Sequence, residues 1–131
     1  MTGINATSLA DGTVTISVTA RDVAGNVSTA RTRTNTKDTA APGIPTATYV
    51  DRTGSTTADQ ITGTAAASST VRATRTAPST AGPYTTTASA SGAYTVNVAP
   101  ARNVTVTYTI NATDAAGNTG ANRTLTFTAR N

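Results

Sequence analysis

Apolar and polar residues trade places at nearly every step along much of this chain. Val104, Val106, Tyr108 and Ile110 occupy every second position through 103–113, with Thr and other polar residues between them. A period of two places such residues on one face of a β-strand. The same pattern predicts strands over 44–50, 60–65, 70–76, 84–90, 93–99, 103–113 and 123–130, the last with Leu125 and Phe127 facing inward. Turn chemistry separates them. Residues 77–83 hold two prolines and a glycine, Ser91-Gly92 reads as a tight turn, and Asp114-Ala115-Ala116-Gly117-Asn118 reads as a bulged hairpin. In that hairpin Asp114 caps the turn with its side chain and Gly117 takes the left-handed position.

Seven short strands with turns every 8–12 residues predict an all-β, immunoglobulin-like antiparallel β-sandwich. Its expected core is Val50, Ile61, Val71, Val96, Val98, Val106, Tyr108, Ile110, Leu125 and Phe127. The chain lacks Cys and Trp, so the Cys…Trp…Cys signature of antibody domains is missing.

The pattern also repeats. Asp22-Val23-Ala24-Gly25-Asn26 matches the hairpin 114–118 at an offset of 92, and the match runs without gaps to the end of the chain. Thr13-Val14-Thr15 meets Thr105-Val106-Thr107, and Arg31-Thr32 meets Arg123-Thr124. The 131 residues therefore read as one full repeat preceded by the last 39 residues of another. We expect residues 1–37 to be the C-terminal part of a preceding repeat, 38–43 a Pro- and Gly-stiffened linker, and 44–131 a complete domain. The partial repeat keeps Val14, Ile16 and Val18, but Arg33 and Asn35 stand where the full repeat has Leu125 and Phe127. A lone hairpin is marginal in water. If ordered, this one is expected to find apolar surface in a second chain, making a dimer or a short fibre.

Composition narrows the function. Thr supplies 33 residues and Ala 25, whereas Val, Ile, Leu and Phe together supply 18. So small an apolar share makes disorder a competing reading. The net charge of only +4 and the β-branched Thr and Val favour a thin-cored β protein instead. With no His, Cys or Glu, the usual nucleophilic triads, imidazole and thiolate metal sites and tuned Glu acids are excluded, and no enzyme is expected. Nine Arg and one Lys oppose six Asp, but the Arg are scattered and aromatics are few, so no nucleic-acid partner is expected. No apolar run approaches the ~18 residues of a membrane span. Met1 is followed by polar residues, so no leader is read there; an exported parent would contain this sequence as an internal or terminal piece.

At particular residues the chain resembles the bacterial immunoglobulin-like tandem repeats of giant surface adhesins and biofilm-associated proteins. The matching pieces are Asp38-Thr39-Ala40-Ala41-Pro42, Asp51-Arg52-Thr53-Gly54-Ser55 with Asp59-Gln60-Ile61-Thr62, Gly63-Thr64-Ala65 leading to Ser69-Thr70-Val71, the Thr-rich 85–92, and the two Asp-x-Ala-Gly-Asn hairpins. The resemblance implies an extracellular stalk of neighbouring Ig-like repeats that carries an adhesive tip or mediates cell–cell contact in a biofilm. No cofactor is required, but the family implies Ca²⁺ near the linkers. The candidate ligands carried over are Asp38, Asp114, Asp51 and Asp59. The chain departs from the family in being basic, and Arg52 stands where a second Asp is usual. Ca²⁺ takes six to eight oxygens. The plainer reading of the same Asp is that they form turns.

Other signals carry less. Five Asn-x-Ser/Thr sequons, at Asn5, Asn26, Asn103, Asn111 and Asn122, are expected by chance in so Ser- and Thr-rich a chain. Lys37 as an isopeptide partner meets Ala129 at the matching position and no assisting Glu. A flat Thr face for ice or glycan would want a short-period coil, whereas the period here is 92. The alternative to a stalk is a binding module whose loops recognise a glycan, host protein or neighbouring subunit. Tyr49, Tyr84, Tyr94 and Tyr108 are its only aromatic candidates, with Tyr108 expected in the core.

Overall fold

Thr and Val stiffen at χ1 and fit a pleated surface, and strand is the regular structure they form throughout. The computed structural model describes residues 5–52 and 57–130. Two units divide it, Met1–Ala40 and Ala41–Asn131.

The first unit holds β1 (Gly12–Val18) and β2 (Arg31–Lys37), an antiparallel pair. Val14, Ile16 and Val18 lie opposite Asn35, Arg33 and Arg31 on one face. Thr13, Thr15 and Ser17 lie opposite Thr36, Thr34 and Thr32 on the other. Val14 and Ile16 are half-buried and Val18 is exposed.

The second unit holds β3 (Thr48–Val50), β4 (Asp59–Thr64), β5 (Thr70–Ala77), β6 (Ala81–Thr87), β7 (Ala93–Val98), β8 (Thr105–Thr113) and β9 (Arg123–Thr128). They form two antiparallel sheets, β3-β4-β7 and β6-β5-β8-β9. One buried cluster draws on both: Tyr49, Ile61, Tyr94, Val96 and Val98 from the first sheet, Val71, Ala73, Val106, Tyr108 and Ile110 from the second. Ala88, Ala101 and Ala129 fill the remainder. This is the sandwich that the alternation predicts. Small alanines and tyrosine rings supply the volume that a Leu- and Ile-rich core would otherwise fill.

Four expectations are corrected. Val50 is exposed, and Tyr49 faces the core in its place. The register decides this: Tyr49 lies opposite fully buried Ile61, and directly opposed residues share a face. Leu125 and Phe127 are half-buried, as β9 is the outer strand of its sheet. The first strand is three residues long rather than seven, because Pro45 has no amide to donate to a ladder. Its lead-in is still held, Thr46 N donating to Thr64 O at 2.9 Å. The approach is close: a Cβ on Gly63 would lie 2.1 Å from Thr46 O. Finally, β6 starts at Ala81, inside the expected loop, and includes Pro83. Pro is tolerated there because β6 is an edge strand.

Candidate functional site

The hairpin joining β8 to β9 is built by one carboxylate. Asp114 Oδ1 accepts Asn118 N at 2.9 Å, and Oδ2 accepts Asn118 Nδ2 at 3.0 Å. Asp114 N donates to Asn118 O at 3.1 Å, and Gly117 N to Asp114 O at 3.2 Å. Gly117 has φ +93°, which an L side chain rarely adopts. The Asn118 side chain, as donor, holds the Asp114 carboxyl below its ordinary value.

The same object recurs between β1 and β2. Asp22 Oδ1 accepts Asn26 N and Oδ2 accepts Asn26 Nδ2, both at 2.8 Å. Asp22 N donates to Asn26 O at 3.0 Å, Gly25 N to Asp22 O at 3.1 Å, and Gly25 has φ +95°. The Asn26 side chain lowers the Asp22 carboxyl likewise. The strands match too: Val14↔Asn35 and Ile16↔Arg33 repeat the register of Val106↔Phe127 and Tyr108↔Leu125, and the bridge Arg21↔Val27 repeats Thr113↔Thr119.

A second carboxylate cluster lies in the second unit, where β3 and β4 meet the chain before β8. Asp59 is fully buried. Its Oδ2 accepts Tyr49 Oη at 2.6 Å and Ala101 N at 2.9 Å; its Oδ1 accepts Arg52 N at 2.9 Å. It thus fastens three separate chain segments. Asp51 Oδ2 accepts Arg130 N at 3.0 Å, while Oδ1 is buried with no partner among the described residues. Asp38 lies in the first unit, its Oδ1 accepting Ala40 N at 3.0 Å. The candidate ligands therefore fall in different places: Asp59 is held by the backbone of residues 52 and 101, Asp51 by that of residue 130, Asp114 closes its own hairpin, and Asp38 belongs to the other unit. Among the described residues no three acidic groups gather as a metal-holding set.

The Tyr49–Asp59 pair is the feature that sequence reasoning missed. A signal existed: Asp59 shares parity with Ile61, so the alternation that turns Ile61 inward turns Asp59 inward as well. Burial and then the Asp59 carboxylate push the Tyr49 phenol far above its ordinary value. Tyr94 donates from Oη to Thr46 O at 2.6 Å, and burial pushes its phenol up to about 12. Burial also raises Tyr108 to about 12, against the opposing charge of Arg75. Three of the four tyrosines are thus committed to the core, and Tyr84 is half-buried against it.

Comparison with curated proteins finds no match. The Bacterial Ig domain family matches residues 41–129, the whole of the sandwich from its lead-in to Ala129. With the two-sheet topology and the core established, that match covers well over half of the sequence, and the chain belongs to the bacterial Ig domain family.

Proposed function

We propose that this chain is a non-enzymatic stalk segment of a bacterial cell-surface adhesin, an extracellular repeat that holds an adhesive tip away from the cell or spans cell–cell contacts in a biofilm. The observation that carries this reading is the hairpin that recurs, bond for bond, 92 residues apart. Tandem copying is how a chain grows long from one foldable unit. Membership of a family of generally structural domains supports the same reading. So does the use of Tyr49, Tyr94 and Tyr108 for packing rather than for an exposed aromatic platform. In this reading residues 1–37 derive from the end of one repeat, 38–43 are linker, and the next repeat follows.

The test is the parent gene. Further copies at the same period on either side are the expected result; flanking sequence without them overturns the stalk. Any calcium is assigned in this reading to Asp38, Asp51, Asp59 or Asp114. Binding to the folded state alone raises the melting temperature, so identical melting curves in calcium and in chelator remove the metal.

A further inference from the structure

The chain between the two units, residues 38–43, is held at both of its ends by different means. On the side of the first unit the hold is a carboxylate. Asp11 Oδ2 accepts Thr39 N at 2.9 Å, and Oδ1 and Oδ2 accept Thr39 Oγ1 at 3.0 and 2.9 Å. The next amide is occupied as well, Ala40 N donating to Asp38 Oδ1 at 3.0 Å. Lys37, just before, bonds through its ammonium to the carbonyls of Thr7 and Leu9. Hydrogen bonds to an ionised acceptor are the stronger kind. They carry the fold of the first unit past the end of β2 at Lys37 as far as Ala40.

On the side of the second unit the hold is steric. A Cβ on Gly120 would lie 2.2 Å from Pro42 O and 3.5 Å from Gly43 O, so the backbone of 42–43 runs directly over Gly120. Pro42 is half-buried and Pro45 is buried. Thr46 N donates to Thr64 O at 2.9 Å, and Thr46 O accepts Tyr94 Oη at 2.6 Å. The two prolines fix φ at 42 and 45. Between the two holds stands Ala41, exposed and with no hydrogen bond among the described residues. The free torsions are ψ of Ala40 and φ and ψ of Ala41. A residue that precedes proline is kept in the extended region, so even these are restricted.

We propose that the joint is a single-residue hinge at Ala41, clasped on one side by the Asp11 carboxylate and on the other by the passage of Pro42 over Gly120, and that the chain stiffens it without a metal. Neither clasp is a property of the repeat as such. At the offset of 92, Asn103 and Asn131 stand where Asp11 and Thr39 stand, and Ser28 stands where Gly120 stands. Asn offers one side-chain acceptor oxygen in place of two. Ser28 carries the Cβ that the passage of Pro42 excludes. The joint is therefore specified by its own residues, one on each side, and not by copying. The inference deepens the stalk reading, which sets this joint between neighbouring repeats. It names Asp11 and Gly120 as the residues that limit bending there.

Amide relaxation and residual dipolar couplings of the full chain, recorded in chelator, test it. Thr39, Ala40 and Gly43 should be as ordered as the neighbouring strands, with the drop confined to Ala41. Asp11→Ala should free Thr39 and Ala40 while Gly43 and the signals of the 22–26 turn stay unchanged. Gly120→Ala should free Gly43 while Thr39 and Ala40 stay ordered. Three glycines inserted after Ala40 leave both clasps in place and add a flexible coil. They should reduce the alignment of the first unit several-fold relative to the second. Mobility throughout 38–43 in the parent chain, order at Thr39 that survives Asp11→Ala, or an alignment that the glycines leave unchanged each overturn the proposal. So does order at 38–43 that appears only when calcium is restored, which would assign the joint to a metal. Flanking sequence without further copies would remove the stalk and leave this result standing.

Discussion

Tyr49 donates its phenol to Asp59 across 2.6 Å in the core of the sandwich, joining β3 to β4 through side chains as well as through the ladder. A buried carboxylate is tolerated only when its oxygens are occupied. Here three donors from two other segments, residues 49–52 and residue 101, occupy them. Tyr49→Phe removes one donor and leaves the others, so urea denaturation should report a loss of about 1–3 kcal/mol. Tyr108→Phe is the control. Its hydroxyl is buried with no hydrogen-bond partner among the described residues. Removing that hydroxyl should leave stability within about 0.5 kcal/mol of the parent or raise it. Equal losses at the two positions would mean that the Asp59 bond contributes nothing specific.

Core truncations should follow burial rather than side-chain size. Ile61 is fully buried between β3 and β7, and Ile61→Ala should cost about 2–5 kcal/mol. Phe127 is larger but half-buried at the outer strand. Its replacement by Ala should cost about 3 kcal/mol, the low end of the usual aromatic range. Val50→Ala, at an exposed position, should stay within about 0.5 kcal/mol. A costly Val50→Ala with a silent Tyr49→Ala would mean the opposite face of β3 is inward.

Long alternating stretches were the legible part of the fold. Over 105–113 and 93–98 five or more consecutive positions agree on one face, so type and direction follow together. β3 has three residues, too few to vote, and its facing is fixed by Ile61 across the ladder, a long-range fact. Pro83 hid the start of β6 because a proline excludes a central strand but not an edge, and edge status comes from the assembled sheet. The hairpin was legible to the residue, since Asp, Gly and Asn at fixed spacing each have one role in it. The sequence alone offers Asp59 as a candidate ligand, because burial of a carboxylate depends on donors from residues 49, 52 and 101, which no local pattern joins.

Two glycines set how closely backbone passes backbone. A Cβ on Gly63 would lie 2.1 Å from Thr46 O, and one on Gly120 would lie 2.2 Å from Pro42 O. Neither obstacle is a flexible side-chain tip, so the lead-in 41–46 must shift to admit a methyl. Gly63→Ala and Gly120→Ala should each cost about 1–3 kcal/mol. Gly43→Ala, with nothing within 4 Å, should be close to neutral. Amide exchange should also rise at Thr46 in the Gly63 variant, since its bond to Thr64 O depends on the close approach. Unchanged exchange there would show that the segment is held elsewhere.

Stability should fall at both ends of the pH scale, more steeply at the alkaline end. Burial raises Tyr94 and Tyr108 from 10.0 to about 12, and Tyr49 further still. An unfolded chain releases these protons near 10, so above that pH the unfolded state binds fewer protons than the folded one and stability declines. The contribution is complete below 10 and is lost as pH rises toward 12. At the acid end Asp11, Asp22 and Asp114 lie below 3.8 in the folded chain, held by the backbone amide of Thr39 and the side chains of Asn26 and Asn118 respectively. Their contribution is present above 3.8 and disappears as pH falls through the lowered values. Asp11 and Asp22 are exposed and Asp114 is half-buried at a surface hairpin, where solvent screens the charges, so the acid limb should be shallow. Urea midpoints across the range, recorded with tyrosinate absorbance, test both limbs. The expected alkaline result is release of the buried tyrosine protons together with unfolding, in a single cooperative step. Tyr94 and Tyr108 ionising near 10 in a chain that stays folded would mean that these hydroxyls reach solvent and that the core is not closed around them.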